Sequence, residues 1–228
     1  MSYVSDDIGG SSEVAGILLV DDHPVVRERL AEIINPEADL HVCGEAADHL
    51  GALEAIAATK PDLVIVDLAL RKSHGLDLIK DIQALFPGMK ILVCSMHDEL
   101  LYAGRAMAAG AAGYVMKDAD GPTFVGAIRT VLSGQRFMSA RLAAQVLGSF
   151  GASRPRGSTA SPIEKLSDRE FEVFRLFGEG QTAKEIAARL NLSPKTVSVH
   201  RDHIKEKMGF ETSAEMIRQA VRWVESQR

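Results

Sequence analysis

The 228-residue sequence predicts an α/β fold, a doubly wound (βα)5 parallel sheet, followed by a small all-α unit of four helices that contains a helix-turn-helix. Three observations predict it. Five short runs rich in Val, Ile and Leu alternate with amphipathic stretches, a segment rich in Gly, Ser and Pro follows, and beyond it four helix starts are marked by capping residues. The length also exceeds the commonest domain size of about 100 to 150 residues, so two domains are expected.

The apolar runs are Ile17 to Val20, Leu40 to Gly44, Leu63 to Val66, Ile91 to Cys94 and Gly113 to Met116. Continuous apolar runs of this length suit strands covered on both faces, and their alternation with helices suits a parallel sheet. The intervening helices are expected near residues 25–34, 48–58, 76–85, 98–109 and 121–133. The sheet unit then occupies residues 16–134. Residues 1–15 are read as a disordered lead-in, since Met1 to Glu13 is rich in Ser, Asp and Gly and lacks the basic-then-apolar pattern of a signal peptide. Residues 135–161 hold a further helix near 139–150 and a flexible linker, Gly151-Ala-Ser-Arg-Pro-Arg-Gly-Ser-Thr-Ala-Ser161.

In residues 162–228 the S/T-x-x-E capping box occurs three times: Ser167 with Glu170, Thr182 with Glu185, and Thr212 with Glu215. In each, the first side chain accepts from the third backbone N–H and the Glu reaches back to the cap. Ser193-Pro194 marks a fourth start, with proline at the first helical position. Gly180 and Gly209 stand where helices should stop. Helices are expected near 168–178, 183–190, 194–208 and 213–225, the second and third forming the helix-turn-helix across Asn191-Leu-Ser193.

The net charge of −5 conceals an asymmetry. Residues 1–150 carry 12 Lys and Arg against 20 Asp and Glu, whereas residues 162–228 carry 12 against 11. The first unit is thereby excluded as a polyanion binder and the last retained. Cys43 and Cys94 sit in apolar stretches without ligand spacing, which fits reduced thiols in a cytoplasmic protein. No apolar run approaches the about 18 residues that a membrane span requires.

Three carboxylates fall at strand ends: Asp21 and Asp22 after the first strand and Asp67 after the third. Ligands of doubly wound sheets bind beyond the carboxyl ends of the strands, and these two strands are neighbours in such a sheet. The three acids should therefore converge and, unpaired, repel one another. A hard divalent cation with oxygen ligands, most simply Mg2+, would relieve that repulsion. Ser95 after the fourth strand and Lys117 after the fifth add a hydroxyl and a cation, forming a cradle for a phosphoryl group on Asp67. Singly each residue has a plainer reading, Asp22 as a helix cap or Lys117 as a surface lysine. Their joint placement favours the site.

Leu19-Val-Asp-Asp-His-Pro24, Leu63-Val-Ile-Val-Asp-Leu68, Gly75-Leu-Asp-Leu78, Val93-Cys-Ser-Met96 and Gly113-Tyr-Val-Met-Lys117 resemble the motifs of response-regulator receiver domains. The resemblance implies that Asp67 is the phospho-acceptor, and that Asp22, Asp67 and the Ala69 carbonyl hold Mg2+, with Asp21 acting through water. It further implies that Ser95 is the switch hydroxyl, Lys117 the phosphate partner and Tyr114 the aromatic that changes rotamer. Two departures occur: Arg71 stands where the family usually has proline, and Asp118 follows the lysine where proline is frequent.

Along residues 194–208, Val197, Ile204 and Met208 share one stripe at helical spacing and should face the core, with His200 and Arg201 at its margins. The opposite face shows Ser198, Val199 and Asp202, flanked by Lys195, Lys205 and Lys207. Small side chains bordered by cations suit a major groove. Leu166-Ser-Asp-Arg-Glu-Phe-Glu-Val173, Gly180-Gln-Thr-Ala-Lys-Glu-Ile-Ala-Ala-Arg-Leu190 and Ser193-Pro-Lys-Thr-Val-Ser-Val-His200 resemble the LuxR-type helix-turn-helix. With a receiver in front, the chain is similar to the NarL/FixJ class over about residues 16–225. That resemblance implies base reading by Ser198, Val199 and Asp202, and phosphate contacts by Thr182, Lys184, Lys195, Thr196, Arg201 and Lys205. Asp202 departs from the usual polar or basic residue; it either accepts from a cytosine amino group or repels phosphate. His200 and His203 have a spacing that metal ligands use, but no third ligand completes a zinc set.

The implied function is that of a response regulator phosphorylated by a sensor histidine kinase, binding double-stranded DNA as a homodimer, with the unmodified receiver occluding the recognition helix. It is no enzyme beyond its own phosphorylation and dephosphorylation. Three rivals exist, the first two being a phosphorylation-independent dimerisation domain in front of the same helix-turn-helix and a metal-dependent phosphohydrolase. The latter needs a second acid and a substrate lid that these short loops do not offer. A flavodoxin-like cofactor binder is disfavoured by three acids where a phosphate-bearing ligand would sit.

Overall fold

The computed structural model describes residues 14–70, 74–144 and 162–226. Five parallel strands, β1 (Ala15–Val20), β2 (Leu40–Ala46), β3 (Leu63–Val66), β4 (Lys90–Ser95) and β5 (Gly113–Met116), lie in the order β2-β1-β3-β4-β5. Helices α1 (Pro24–Ile34), α2 (His49–Thr59), α3 (Gly75–Leu85), α4 (Glu99–Ala109) and α5 (Gly121–Leu132) connect and follow them. Strand side chains alternate between two cores. Ile17, Leu19, Leu63 and Ile65 bury against α1 and α5, while Leu18, Val20, Val64 and Val66 bury against α2, α3 and α4. A sheet buried on both faces needs no polar alternation, which is why these strands read as unbroken apolar runs.

Residues 140–144 are helical, while the rest of the helix and linker expected up to residue 161, and the lead-in over residues 1–13, lie outside the described residues. Just before them, Phe137 forms an isolated parallel bridge with Gly113 on the outer edge of β5. Its N–H donates to Ala112 O at 3.0 Å.

The C-terminal unit opens on a 3-10 turn (Pro162–Lys165), followed by α6 (Asp168–Gly178), α7 (Ala183–Arg189), α8 (Pro194–Met208) and α9 (Ser213–Ser226). The first two capping boxes form in full, at Ser167/Glu170 and Thr182/Glu185. The third forms by half: Thr212 Oγ1 accepts from Glu215 N at 3.1 Å, but the Glu215 carboxylate takes the N–H of Glu211 instead. Gly178 lets α6 and α9 approach closely, since a Cβ there would lie 2.5 Å from Ala220 O.

The two units are docked through α3 and α4 on one side and through the 3-10 turn, α6 and α9 on the other. Arg105 on α4 donates to Leu166 O (3.0 Å), Ile163 O (2.9 Å) and Asp168 Oδ1 (3.1 Å), while Lys80 reaches Asp168 Oδ2 at 2.7 Å. The Arg105 guanidinium lies 4.2 Å from the Phe171 ring centre, and Arg175 Nε donates to Tyr102 OH at 3.1 Å. Tyr102 and Phe171, 1% and 2% exposed, meet edge to face at 5.4 Å. Burial raises the Asp168 pKa, but Lys80 and Arg105 outweigh it and hold the carboxyl below the usual range. A depressed pKa makes this contact fully present above the ordinary carboxylate pKa and lost only as pH falls through the lowered value. Asp168→Lys would set a third cation against Arg105 and Lys80. Loss of a hydrogen-bonded, largely buried charge pair costs about 2 kcal/mol. The ratio of docked to undocked molecules should drop roughly 30-fold, read as a larger radius of gyration in solution scattering.

Candidate acidic site and nucleic-acid interface

The strand order places β1 between β2 and β3, so the chain leaves β1 toward one side of the sheet and returns on the other. The crevice this opens lies at the carboxyl ends of β1 and β3. Asp67 N bonds Val20 O at 2.9 Å and Asp21 N bonds Ala46 O at 3.1 Å, extending the ladder to fix both backbones beyond the strands. Asp21, Asp22 and Asp67 are 2%, 8% and 2% exposed and face one another as the strand-end rule requires. Gly75, at the start of α3, is needed behind them: a Cβ there would lie 2.3 Å from Asp67 O.

Lys117 comes in from the end of β5. Its Nζ lies 2.5 Å from Asp21 Oδ2 and 2.7 Å from Asp67 Oδ2, bridging two of the three acids. Burial lowers the Lys117 pKa, yet the two carboxylates prevail and hold it above the ordinary lysine value. Asp67 Oδ1 has no hydrogen-bond partner among the described residues. A buried carboxylate oxygen left open, beside two more acids, is a donor set that fits a hard divalent cation. His23 was not anticipated from sequence. Its Nδ1 is 2.6 Å from Asp22 Oδ1 and 3.3 Å from Asp21 Oδ1, and its ligand atom lies within 4.8 Å of those of the three acids. Its only signal in the sequence is its place directly after the two acids in Leu19-Val-Asp-Asp-His-Pro24. His23 is the N-cap residue of α1, without a side-chain cap bond, so Asp22 does not cap that helix.

Ala69 lines the same cavity of about 450 Å³ as Asp67, His97 and Lys117. Ser95 is fully buried at the end of β4, with its hydroxyl 3.0 Å from His97 Nδ1 rather than on the acids. Tyr114 is fully buried and donates its hydroxyl to His97 O at 2.8 Å. Burial pushes the Cys94 thiol beside this cluster up to about 12, so it stays protonated and unreactive. Arg71 lies outside the described residues. No cis peptide occurs among the described ones, so the bond before Asp118 is trans. The far wall of the cavity belongs to the C-terminal unit, through Arg175, Arg189 and Trp223.

In α8, Val197 and Ile204 are fully buried and Met208 half-buried, as the stripe requires. Val199 is 44% exposed and Asp202 is exposed, while Ser198 is half-buried and donates to Pro194 O at 3.1 Å. Lys184 and Lys195 are exposed, Lys205 is half-buried, and Lys207 is tied to Glu170 at 2.6 Å. Thr182 and Thr196 spend their hydroxyls on helix starts, the first on Glu185 and the second on Ser193. Arg201 is half-buried and 3.8 Å from Asp202. The expected occlusion of this helix is not what docking does: the bonded contacts fall on α6 and the turn before it, α9 contributes Trp223 and Val224 to the cavity wall, and the outer face of α8 stays exposed. His200 and His203 gather no third ligand among the described residues; the group of three or more found there is the acidic cluster.

A doubly wound sheet with an acid–lysine cluster at its switch point, joined to a capped helix-turn-helix, defines a two-domain transcription regulator. The chain belongs to the response regulators of the NarL/FixJ class: residues 17–129 match the response regulator receiver domain and residues 164–220 the bacterial regulatory proteins of the luxR family. It is 34% identical over 209 residues to the oxygen regulatory protein NreC of Staphylococcus aureus, covering 90% of this chain and 96% of that one. Among solved structures, a LuxR-family two-component response regulator from Aurantimonas sp. SI85-9A1 is 36% identical with a TM-score of 0.58, over 61% of this chain and 99% of that chain. RcsB from Salmonella enterica serovar Typhimurium, bound to promoter rprA with the phosphomimetic BeF3-, is 25% identical with a TM-score of 0.60, over 90% and 96%. No helix among the described residues is long and apolar enough to cross a membrane.

Proposed function

We propose that Asp67 accepts a phosphoryl group from a sensor histidine kinase and that the modified chain binds double-stranded DNA as a homodimer in the cytoplasm. The division is a receiver over residues 16–134, a connecting segment over 135–161 and a DNA-binding unit over 162–228. The observation that carries the reading is the pairing of Lys117 with Asp21 and Asp67 beside an Asp67 oxygen without a hydrogen-bond partner among the described residues.

In the transfer, the Asp67 carboxylate attacks phosphorus, the bond to the donor imidazole breaks, and an acyl phosphate remains. Asp21, Asp22, Asp67 and the Ala69 carbonyl would hold Mg2+, which when bound offsets the crowded negative charge. Lys117 and Ser95 then supply a cation and a hydroxyl donor to the phosphoryl oxygens. The resemblance of this site to receiver domains supports these roles, as does the RcsB complex with DNA and a phosphomimetic. Self-phosphorylation and its reversal are the only chemistry assigned.

Docking bears on DNA binding through position rather than through cover. A helix-turn-helix dimer must set two reading helices about one DNA turn apart. A unit fixed to its own receiver by α6 and α9 is not free to take that spacing. Shifting such an equilibrium from 1:99 to 99:1 takes about 5.5 kcal/mol of differential stabilisation. The test is intact-mass measurement after treatment with Mg2+ and acetyl phosphate. One added phosphoryl, prevented by a chelator, is expected; addition that survives complete chelation would count against the site.

For the DNA interface, the assigned phosphate contacts predict a salt signature. Lys195→Ala should weaken binding about equally on all sequences and lower the slope of log affinity against log salt by about 1. Val199→Ala, in contrast, should change sequence preference and leave that slope unaltered. Titrations of fluorescent duplexes at several salt concentrations separate the two.

A further inference from the structure

His97 stands at the meeting point of three connections that the roles assigned above leave unused. Its Nδ1 is 3.0 Å from the Ser95 hydroxyl, and its carbonyl accepts the Tyr114 hydroxyl at 2.8 Å. Its ring lies 4.7 Å from that of Tyr102, centre to centre. Tyr102 in turn accepts from Arg175 at 3.1 Å and meets Phe171 at 5.4 Å, and Phe171 meets Trp223 at 5.5 Å. The contact is thus continuous from the end of β4 to α6 and α9. Burial, reinforced by the Arg175 charge, holds the His97 imidazole down at about 4, so the ring is neutral near pH 7. One ring nitrogen of a neutral imidazole is then an acceptor for a hydroxyl.

A serine hydroxyl has a single proton to donate. We propose that His97 is the positioning residue that carries the state of Asp67 to the output unit: a phosphoryl on Asp67 draws the Ser95 proton away from His97 Nδ1, and the released ring leaves Tyr102. The inference rests on the reading of Asp67 as acceptor and Ser95 as switch hydroxyl. Nothing covalent changes at His97; one hydrogen bond is exchanged for another. Loss of the ring removes the packing that holds Tyr102 against Arg175 and Phe171, and the output unit undocks. Tyr114 is tied to the backbone of the same residue, so a shift at His97 moves both aromatic groups.

The sole tryptophan, Trp223, lines the interface cavity with Leu101 and Tyr102 and reports docking by its fluorescence. The full chain, with Mg2+ and acetyl phosphate, is followed by Trp223 emission, and uptake of the phosphoryl by intact mass. Wild type should change emission as phosphoryl is gained. In His97→Ala the change per phosphorylated molecule should fall at least about fivefold, the lower end of ordinary coupling between sites. His97→Asn, whose amide oxygen can accept from Ser95, should recover part of it. An undiminished change in His97→Ala overturns the relay, as does failure of Asn to recover any of it or failure of His97→Ala to take up phosphoryl. A response in Asp67→Asn overturns the underlying reading instead.

Discussion

Asp67→Asn takes up no phosphoryl from acetyl phosphate, and its DNA affinity no longer changes when the phosphodonor is added. The substitution keeps the shape of the side chain and removes the nucleophilic carboxylate. Asp21 remains 2.5 Å from Lys117, so the lysine keeps a partner and the pocket stays assembled. Coupling between two sites in a protein is ordinarily worth about 1 to 3 kcal/mol, or about 5- to 150-fold in affinity. That whole factor should vanish in the variant. Parallel DNA titrations of wild type and Asp67→Asn, with and without Mg2+ and beryllofluoride at fixed salt, check it; a retained response would remove Asp67 from its role. Absence of a response in both would instead favour the phosphorylation-independent rival.

Lys117→Met is expected to destabilise the sheet unit strongly in the absence of a divalent cation. Lys117 is 9% exposed, and its two partners 3% and 2%. Removing one member of a buried ion pair leaves uncompensated charge and costs about 3 kcal/mol or more. Here it leaves three carboxylates facing one another. Mg2+ binding to the folded state should return part of the loss, about 2.7 kcal/mol at a hundredfold excess over its dissociation constant. Urea unfolding with and without Mg2+ measures both, and equal stability of variant and wild type in chelator would show that the lysine pairs with neither acid. The sign of the pH dependence follows from the raised Lys117 pKa: the contribution is fully present below the unfolded lysine value of about 10.4 and is lost as pH rises through the higher folded one.

Much of this was legible in the sequence because the sheet is buried on both faces and the helices are capped. The expected runs Leu63 to Val66 and Gly113 to Met116 coincide with β3 and β5, and residues 168–178 and 194–208 with α6 and α8. The convergence of Asp21, Asp22 and Asp67 was legible too, since strand-end position and parallel order together determine it. Two things were not. His23 joins the acids only because α1 begins immediately after β1 and turns its first residues back over the sheet, a matter of backbone direction. Docking depends on Arg105 and Asp168, 63 residues apart, each of which reads alone as an ordinary charged residue of a helix. The half-formed box at Thr212 shows the same limit at short range, because Glu211 N competes for the Glu215 carboxylate.

Phe137 gives the bridge at β5 a wider meaning. A sheet's outermost strand offers unpaired amides to any second chain that can align with it. At β5 the chain's own return stroke takes part of that position, with Tyr114 N directed to Phe137 O at 3.4 Å and Phe137 N to Ala112 O at 3.0 Å. Joining two copies by continuing the sheet at this border would first require peeling residue 137 away. On this side of the sheet, self-association is thereby steered toward helix surfaces, where charge and shape can discriminate partners, and away from backbone pairing, which cannot.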